Sequence, residues 1–121
     1  AKVYLYDHTV VENDGARFEN VVALHLRKLV DAWNDRGEGD FGLWYVRDKE
    51  RREVDFLITD NRKPWLLVET KLSDAHVSPA LRYYQKAFDV PHAVQVVRSG
   101  TVVHRSAGVV VTPASALLSL I

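Results

Sequence analysis

Two stretches of alternating residues, separated by a short polar turn, set the strongest limit on what this chain can fold into. Residues 53–59 and 65–71 each read as a β-strand, with Phe56, Ile58, Leu66 and Val68 on one parity and Glu53, Asp55, Glu69 and Lys71 on the other. Closing them into a hairpin over residues 60–64, with Thr59 paired to Trp65, places Asp55 opposite Glu69 and Glu53 opposite Lys71. Directly opposed residues share a face, with Cβ atoms ~5 Å apart. The expectation is one apolar face and one face on which four charges gather. A slip of one residue would send Asp55 to the other face and break the cluster.

The rest of the chain supplies a frame for that hairpin. After the turn signal Asp14-Gly15, the apolar residues Phe18, Val21, Val22, Leu26, Leu29, Val30 and Trp33 recur every three or four positions, predicting an amphipathic helix over residues 16–35 that ends at Gly37 and Gly39. Residues 3–6 suit a short strand ahead of it, and residues 43–47 a strand that makes the hairpin a three-stranded antiparallel meander. Ser78 as cap and Pro79 at the first helical position open a second helix, running to about Phe88 with Leu81, Tyr84 and Phe88 on one side. Strands at 92–97 and 109–112 follow, and Pro113 opens a short terminal helix through Leu117, Leu118 and Leu120. The order is that of an α/β domain with a central sheet. A chain of 121 residues without repeats or linkers makes one such domain and buries roughly two-thirds of its unfolded surface. No charged side chain occurs after Arg105, so the tail reads as a buried hairpin and helix in preference to an exposed partner surface.

Composition removes several function classes. Without cysteine there is no disulfide framework, thiolate zinc site or cysteine nucleophile. Sixteen Lys and Arg balance sixteen Asp and Glu, so nucleic-acid binding would have to come from a local patch. No apolar run approaches the ~20 residues that span a bilayer, and the start of the chain lacks a signal-peptide core, which points to the cytoplasm. The chain starts without methionine and ends at Ile121 within an apolar stretch, so a fragment of a longer protein is expected.

Opposed carboxylates on otherwise apolar strands repel unless something compensates, and hard oxygen donors beside a lysine suit Mg²⁺ or Mn²⁺. A lysine in that position orients or deprotonates an attacking water, or stabilises charge at a phosphoryl centre. The same residues also fit a hairpin with one wet face and an ordinary Glu53–Lys71 ion pair. His8, His25, His76, His92 and His104 have no metal-like spacing. Contact with nucleic acid would come from Arg47, Lys49, Arg51 and Arg52, near Trp44 and Tyr45, although Asp48 and Glu50 are interleaved as in any soluble hairpin tip.

An aspartate followed on the next strand by Glu-x-Lys, here Asp55 and Glu69-Thr70-Lys71 after a long helix, resembles the PD-(D/E)XK nuclease superfamily. Glu19 in Arg17-Phe18-Glu19-Asn20 matches its helical acidic residue, and Gln85 in Tyr83-Tyr84-Gln85-Lys86 its following-helix glutamine. Val54 stands where the superfamily's name puts proline. More narrowly, Gly15-Ala16-Arg17-Phe18-Glu19-Asn20, Tyr45-Val46-Arg47-Asp48, Glu53-Val54-Asp55-Phe56 and Glu69-Thr70-Lys71-Leu72-Ser73 are similar to the uncharacterised C-terminal domain of prokaryotic AAA-type ATPases. The resemblance implies a restriction-endonuclease-like fold, a central mixed sheet with an antiparallel meander flanked by helices. It implies Mg²⁺ or Mn²⁺ held by Asp55, Glu69 and the carbonyl of Thr70, with Glu19 direct or through water, Lys71 as catalytic lysine and Gln85 in support. The activity implied is phosphodiester hydrolysis, of DNA more than RNA. The alternative is a non-catalytic recognition or regulatory module of an AAA-type ATPase. The chain has no Gly-x-x-x-x-Gly-Lys-Ser/Thr loop, so any ATPase domain lies outside it.

Overall fold

Helix α1 (Asp14–Asp35) buries Phe18, Val22, Ala23, Leu26, Leu29 and Val30, the stripe its periodicity predicts. The structure is a computed structural model and describes residues 14–47, 53–73, 76–99, 103–106 and 108–118. Val21, expected in the stripe, is 50% exposed because Val22 occupies the core-facing position one turn after Phe18. Gly37 ends the helix at φ 73°, with Glu38 N–H donating to Trp33 O and Gly37 N–H to Asn34 O, a cap that needs a residue without a Cβ penalty. Asn34 then fastens the helix end to the sheet: its Oδ1 accepts from Phe41 N–H at 2.7 Å and its Nδ2 donates to Phe41 O at 2.9 Å.

Strands β1 (Phe41–Arg47), β2 (Glu53–Asp60) and β3 (Lys63–Ser73) form the expected antiparallel meander. Helix α2 (Pro79–Ala87) opens as predicted, with Ser78 Oγ accepting from Leu81 N–H and Pro79 at the first helical position. It crosses over to β4 (His92–Ser99), which pairs parallel to β3. Strands β5 (His104–Ser106) and β6 (Val109–Pro113) give, among the described residues, a six-stranded mixed sheet of order β1-β2-β3-β4-β6-β5, followed by helix α3 (Ala114–Leu118). β5 was not anticipated, since three residues are too few for alternation to register. The strand expected at 3–6 and Leu120 lie outside the described residues.

Helices cover both faces of the sheet. α1 packs with Leu43, Phe56, Ile58, Val68, Val96 and Ala114 on one side; Leu81 and Tyr84 of α2 pack with Val54, Leu67, Val90, Ala93 and Val109 on the other. Phe88, at the C-cap of α2, lies against Tyr84 as expected, with ring centroids 5.3 Å apart, but is 46% exposed. Val109, Val111, Thr112 and Ala114 are buried, so β6 and the start of the uncharged tail's helix are interior, while Gly108 and Ser115 are exposed. Among the described residues no helix is long and apolar enough to cross a membrane.

The hairpin register is the expected one at Phe56↔Val68, Leu57↔Leu67 and Ile58↔Leu66, then slips to Thr59↔Pro64 and Asp60↔Lys63. The connection is two residues long, Asn61 and Arg62, at φ 52° and 68°, in place of the predicted 60–64 turn. The slip leaves Trp65 unpaired with β2, and it joins Trp33 and Phe41 in an aromatic cluster with ring centroids 5.2–5.8 Å apart. Arg62 holds a left-handed conformation that glycine adopts at no steric cost. Arg62→Gly is therefore expected to stabilise the fold by about 1 kcal/mol, read as a higher urea midpoint at unchanged slope.

Candidate active site

The β2–β3 pairs end at Phe56↔Val68, while β3 continues alongside β4 through Glu69↔Gln95, Thr70↔Val96 and Lys71↔Val97. On the other edge of β2, Trp44 pairs with Leu57 and Val46 with Val54, so Asp55 and Phe56 together oppose Tyr45. This is a β-bulge, which re-aims side chains. Its effect is visible in the packing: Val54 and Leu57 are three apart, yet both pack on the α2 side, while Phe56 packs on the α1 side.

Asp55 consequently reaches across to β3. Its Oδ2 accepts from Thr70 N–H at 2.8 Å and from Thr70 Oγ1–H at 2.7 Å, and Asp55 N–H donates to Glu69 Oε1 at 3.2 Å. Side-chain groups thus take over where the backbone ladder stops. Glu53, Asp55, Glu69 and Lys71 line one cleft of about 740 Å³, joined by Glu19 of α1 and by Ser78, Pro79 and Ala80 at the start of α2. The expected single charged face is corrected in this respect: the residues meet where β2 and β3 part, and both helices wall the opening.

Glu69 is 7% exposed, and its carboxyl is pushed up to about 8. Burial is the largest cause, followed by the hydrogen bond to and the charge of Asp55, with Lys71 acting in the opposite direction. At neutral pH Glu69 therefore keeps its proton. A divalent cation would replace that proton. Two carboxylates and a backbone carbonyl, with waters completing the shell, suit Mg²⁺; the donors around Asp55 and Glu69 fit that description. Among the described residues no three His, Asp or Glu side chains converge on one point.

Gln85 of α2 does not line the cleft; its Oε1 lies 4.0 Å from where a Cβ on Gly108 would be. The backbone of Arg47 pairs with Glu53. Lys49, Arg51 and Arg52 are outside the described residues. Among the described residues no histidine lines the cleft.

Gln95 was missed. It is fully buried beside Glu69 on β4, with Oε1 accepting from Ser78 N–H at 2.9 Å and Nε2 donating to His76 O at 3.3 Å. It thereby ties the segment that starts α2, and so one wall of the cleft, to the strand next to Glu69. Its signal was a lone amide within the apolar run Ala93-Val94-Gln95-Val96-Val97.

A family model described as a domain of unknown function, DUF4143, matches residues 14–117. No curated protein matches the chain, and no solved structure does.

Proposed function

We propose that this chain, which belongs to the DUF4143 family of domains of unknown function, is a Mg²⁺-dependent phosphodiesterase acting on nucleic acid, DNA before RNA, with a PD-(D/E)XK-type site on a restriction-endonuclease-like fold. The observation that carries the reading is the pairing of a half-buried Asp55 with a buried Glu69, Asp55 N–H donating to Glu69 Oε1, beside Lys71 at the point where two strands part. Burying the Glu69 carboxyl beside a second acid costs the fold stability, which a functional role for the pair accounts for. The order of a long helix, an antiparallel meander and a crossover helix supports the fold assignment.

Asp55, Glu69 and the Thr70 carbonyl would hold the cation, with Glu19 of α1 lining the same cleft. When bound, the cation supplies Lewis-acid charge to a phosphate oxygen and to a water. Asp55 is kept in place by the two Thr70 donors, so it needs little reorganisation to act as a ligand. Lys71, on the strand that carries Glu69, orients the attacking water and offsets negative charge that develops on the phosphoryl oxygens. The role expected for Gln85 has no support in its position, and Gln95 is the residue placed to steady the cleft wall.

A second reading, a non-catalytic module of an AAA-type ATPase lying outside this chain, has one observation in its favour. The carboxylates are already engaged by Thr70 and by the Asp55 amide, as a purely structural lock would be. Incubating the chain with single- and double-stranded DNA and RNA separates the two. Strand scission in millimolar Mg²⁺ or Mn²⁺, absent in EDTA, is the expected outcome. No scission, together with a melting temperature that the metal does not raise, would leave the lock as the better account.

A further inference from the structure

We propose that Trp44 is a stacking platform for an unpaired nucleobase, so that the strand entering the cleft is single-stranded where it crosses the edge of the sheet. This deepens the nucleic-acid reading of the cleft and rests on it for the identity of the ligand. Among the described residues Trp44 lies on the edge strand of the sheet, β1, and is 44% exposed, whereas Trp33 and Trp65 pack edge to face in the aromatic cluster.

The indole is exposed but not free to turn. Its Nε1–H donates to Thr59 Oγ1 at 3.1 Å. The ring lies across Gly42, where a Cβ would stand 2.9 Å from Nε1 and 3.5 Å from Cε2. Gly42 has no left-handed φ, so it is there for space. Thr59 is the register partner of Gly42, and its hydroxyl too would be 2.9 Å from such a Cβ. A glycine floor and a threonine latch thus hold a large aromatic surface against the sheet with its outer side open. An aromatic ring fixed beforehand loses little conformational freedom when a flat partner stacks on it.

Position favours a nucleobase as that partner. Three residues beyond Trp44, Arg47 pairs with Glu53, a lining residue of the cleft, so the platform stands roughly 10 Å along the strand from it. A base on the strand whose phosphate occupies the cleft lies within that reach. Bases inside a duplex are already stacked on their neighbours, so an unpaired base is the one that can use the ring.

The test is a fluorescence titration in EDTA, where no cleavage occurs, using oligothymidylate, its duplex with oligodeoxyadenylate, and a neutral oligosaccharide. The single strand is expected to quench tryptophan emission and to bind several-fold tighter than the duplex. Trp44→Ala should lose the quenching and about tenfold or more of the affinity, and Trp44→Phe should keep most of the affinity. Gly42→Ala, which displaces the indole without removing it, should weaken binding several-fold. Equal affinity of wild type and Trp44→Ala, equal affinity for both nucleic acids, no binding at all, or quenching by the oligosaccharide alone would each overturn the proposal. The catalytic reading fails separately: Trp44-dependent binding without scission in Mg²⁺ removes the nuclease and keeps the platform.

Discussion

Lys71→Ala is expected to lower the rate of metal-dependent scission roughly 10²- to 10⁴-fold, the range lost with one proton-transfer or charge-stabilising group. Lys71 lines the cleft beside the acid pair, so its removal leaves the donors for the cation in place. The variant should therefore still show the melting-temperature rise that the metal produces in wild type. Asp55→Asn should lose both scission and most of that rise, because it removes a ligand charge while an amide oxygen can still accept from Thr70. The contrast is the informative part. Unchanged scission in Lys71→Ala and Asp55→Asn alike would sink the assignment, whatever the wild type does.

The second large effect is on stability against pH. The Glu69 carboxyl goes from 4.5 in an open chain to about 8 in the fold, so between these values the folded state binds the extra proton. Stability must then fall as pH rises through that window: the contribution is fully present below about pH 4.5 and lost by the time pH passes about 8. Glu69→Gln keeps an oxygen acceptor for Asp55 N–H and offers a permanent donor where the proton sits. The variant should match wild type near pH 4.5 and exceed it at pH 9 by on the order of 3 kcal/mol, since each tenfold change in proton affinity corresponds to about 1.4 kcal/mol and the coupling to Asp55 trims the total. Denaturant unfolding at the two pH values measures this. Parallel pH profiles for variant and wild type would show that no proton is held at this position. Saturating Mg²⁺ should flatten the wild-type profile, because a cation held by the pair favours both carboxylates ionised.

Much of the frame was legible because it is encoded in short periods. The 3.6-residue stripe of α1, the Ser78-Pro79 opening of α2 and the alternation of β2 and β3 each depend on neighbours within a turn or a strand, where local sterics decide the conformation. The register at Phe56↔Val68 was legible for the same reason, since slipping it would have turned an apolar face to water. That the acid pair, Glu19 and Lys71 share one cleft follows from these elements and their order.

What lay beyond reach were features with no period. Residues 53–59 alternate cleanly, and nothing in them marks Asp55 and Phe56 as a bulge; the extra residue exists because β2 must match β1 on one side and β3 on the other. Gln85 was the polar support the resemblance implied, and only the crossover of α2 puts Gln95 against the cleft wall instead. Trp44 reads as any strand tryptophan until the sheet sets it on an edge with Gly42 beneath and Thr59 within reach. The sequence by itself determined the elements, their faces and the residue types available for chemistry, because these depend on local sterics and apolar patterning. The tertiary structure alone decided where strands part, which amide ties which wall and which ring stays open to solvent, because those depend on contacts between residues far apart in the chain.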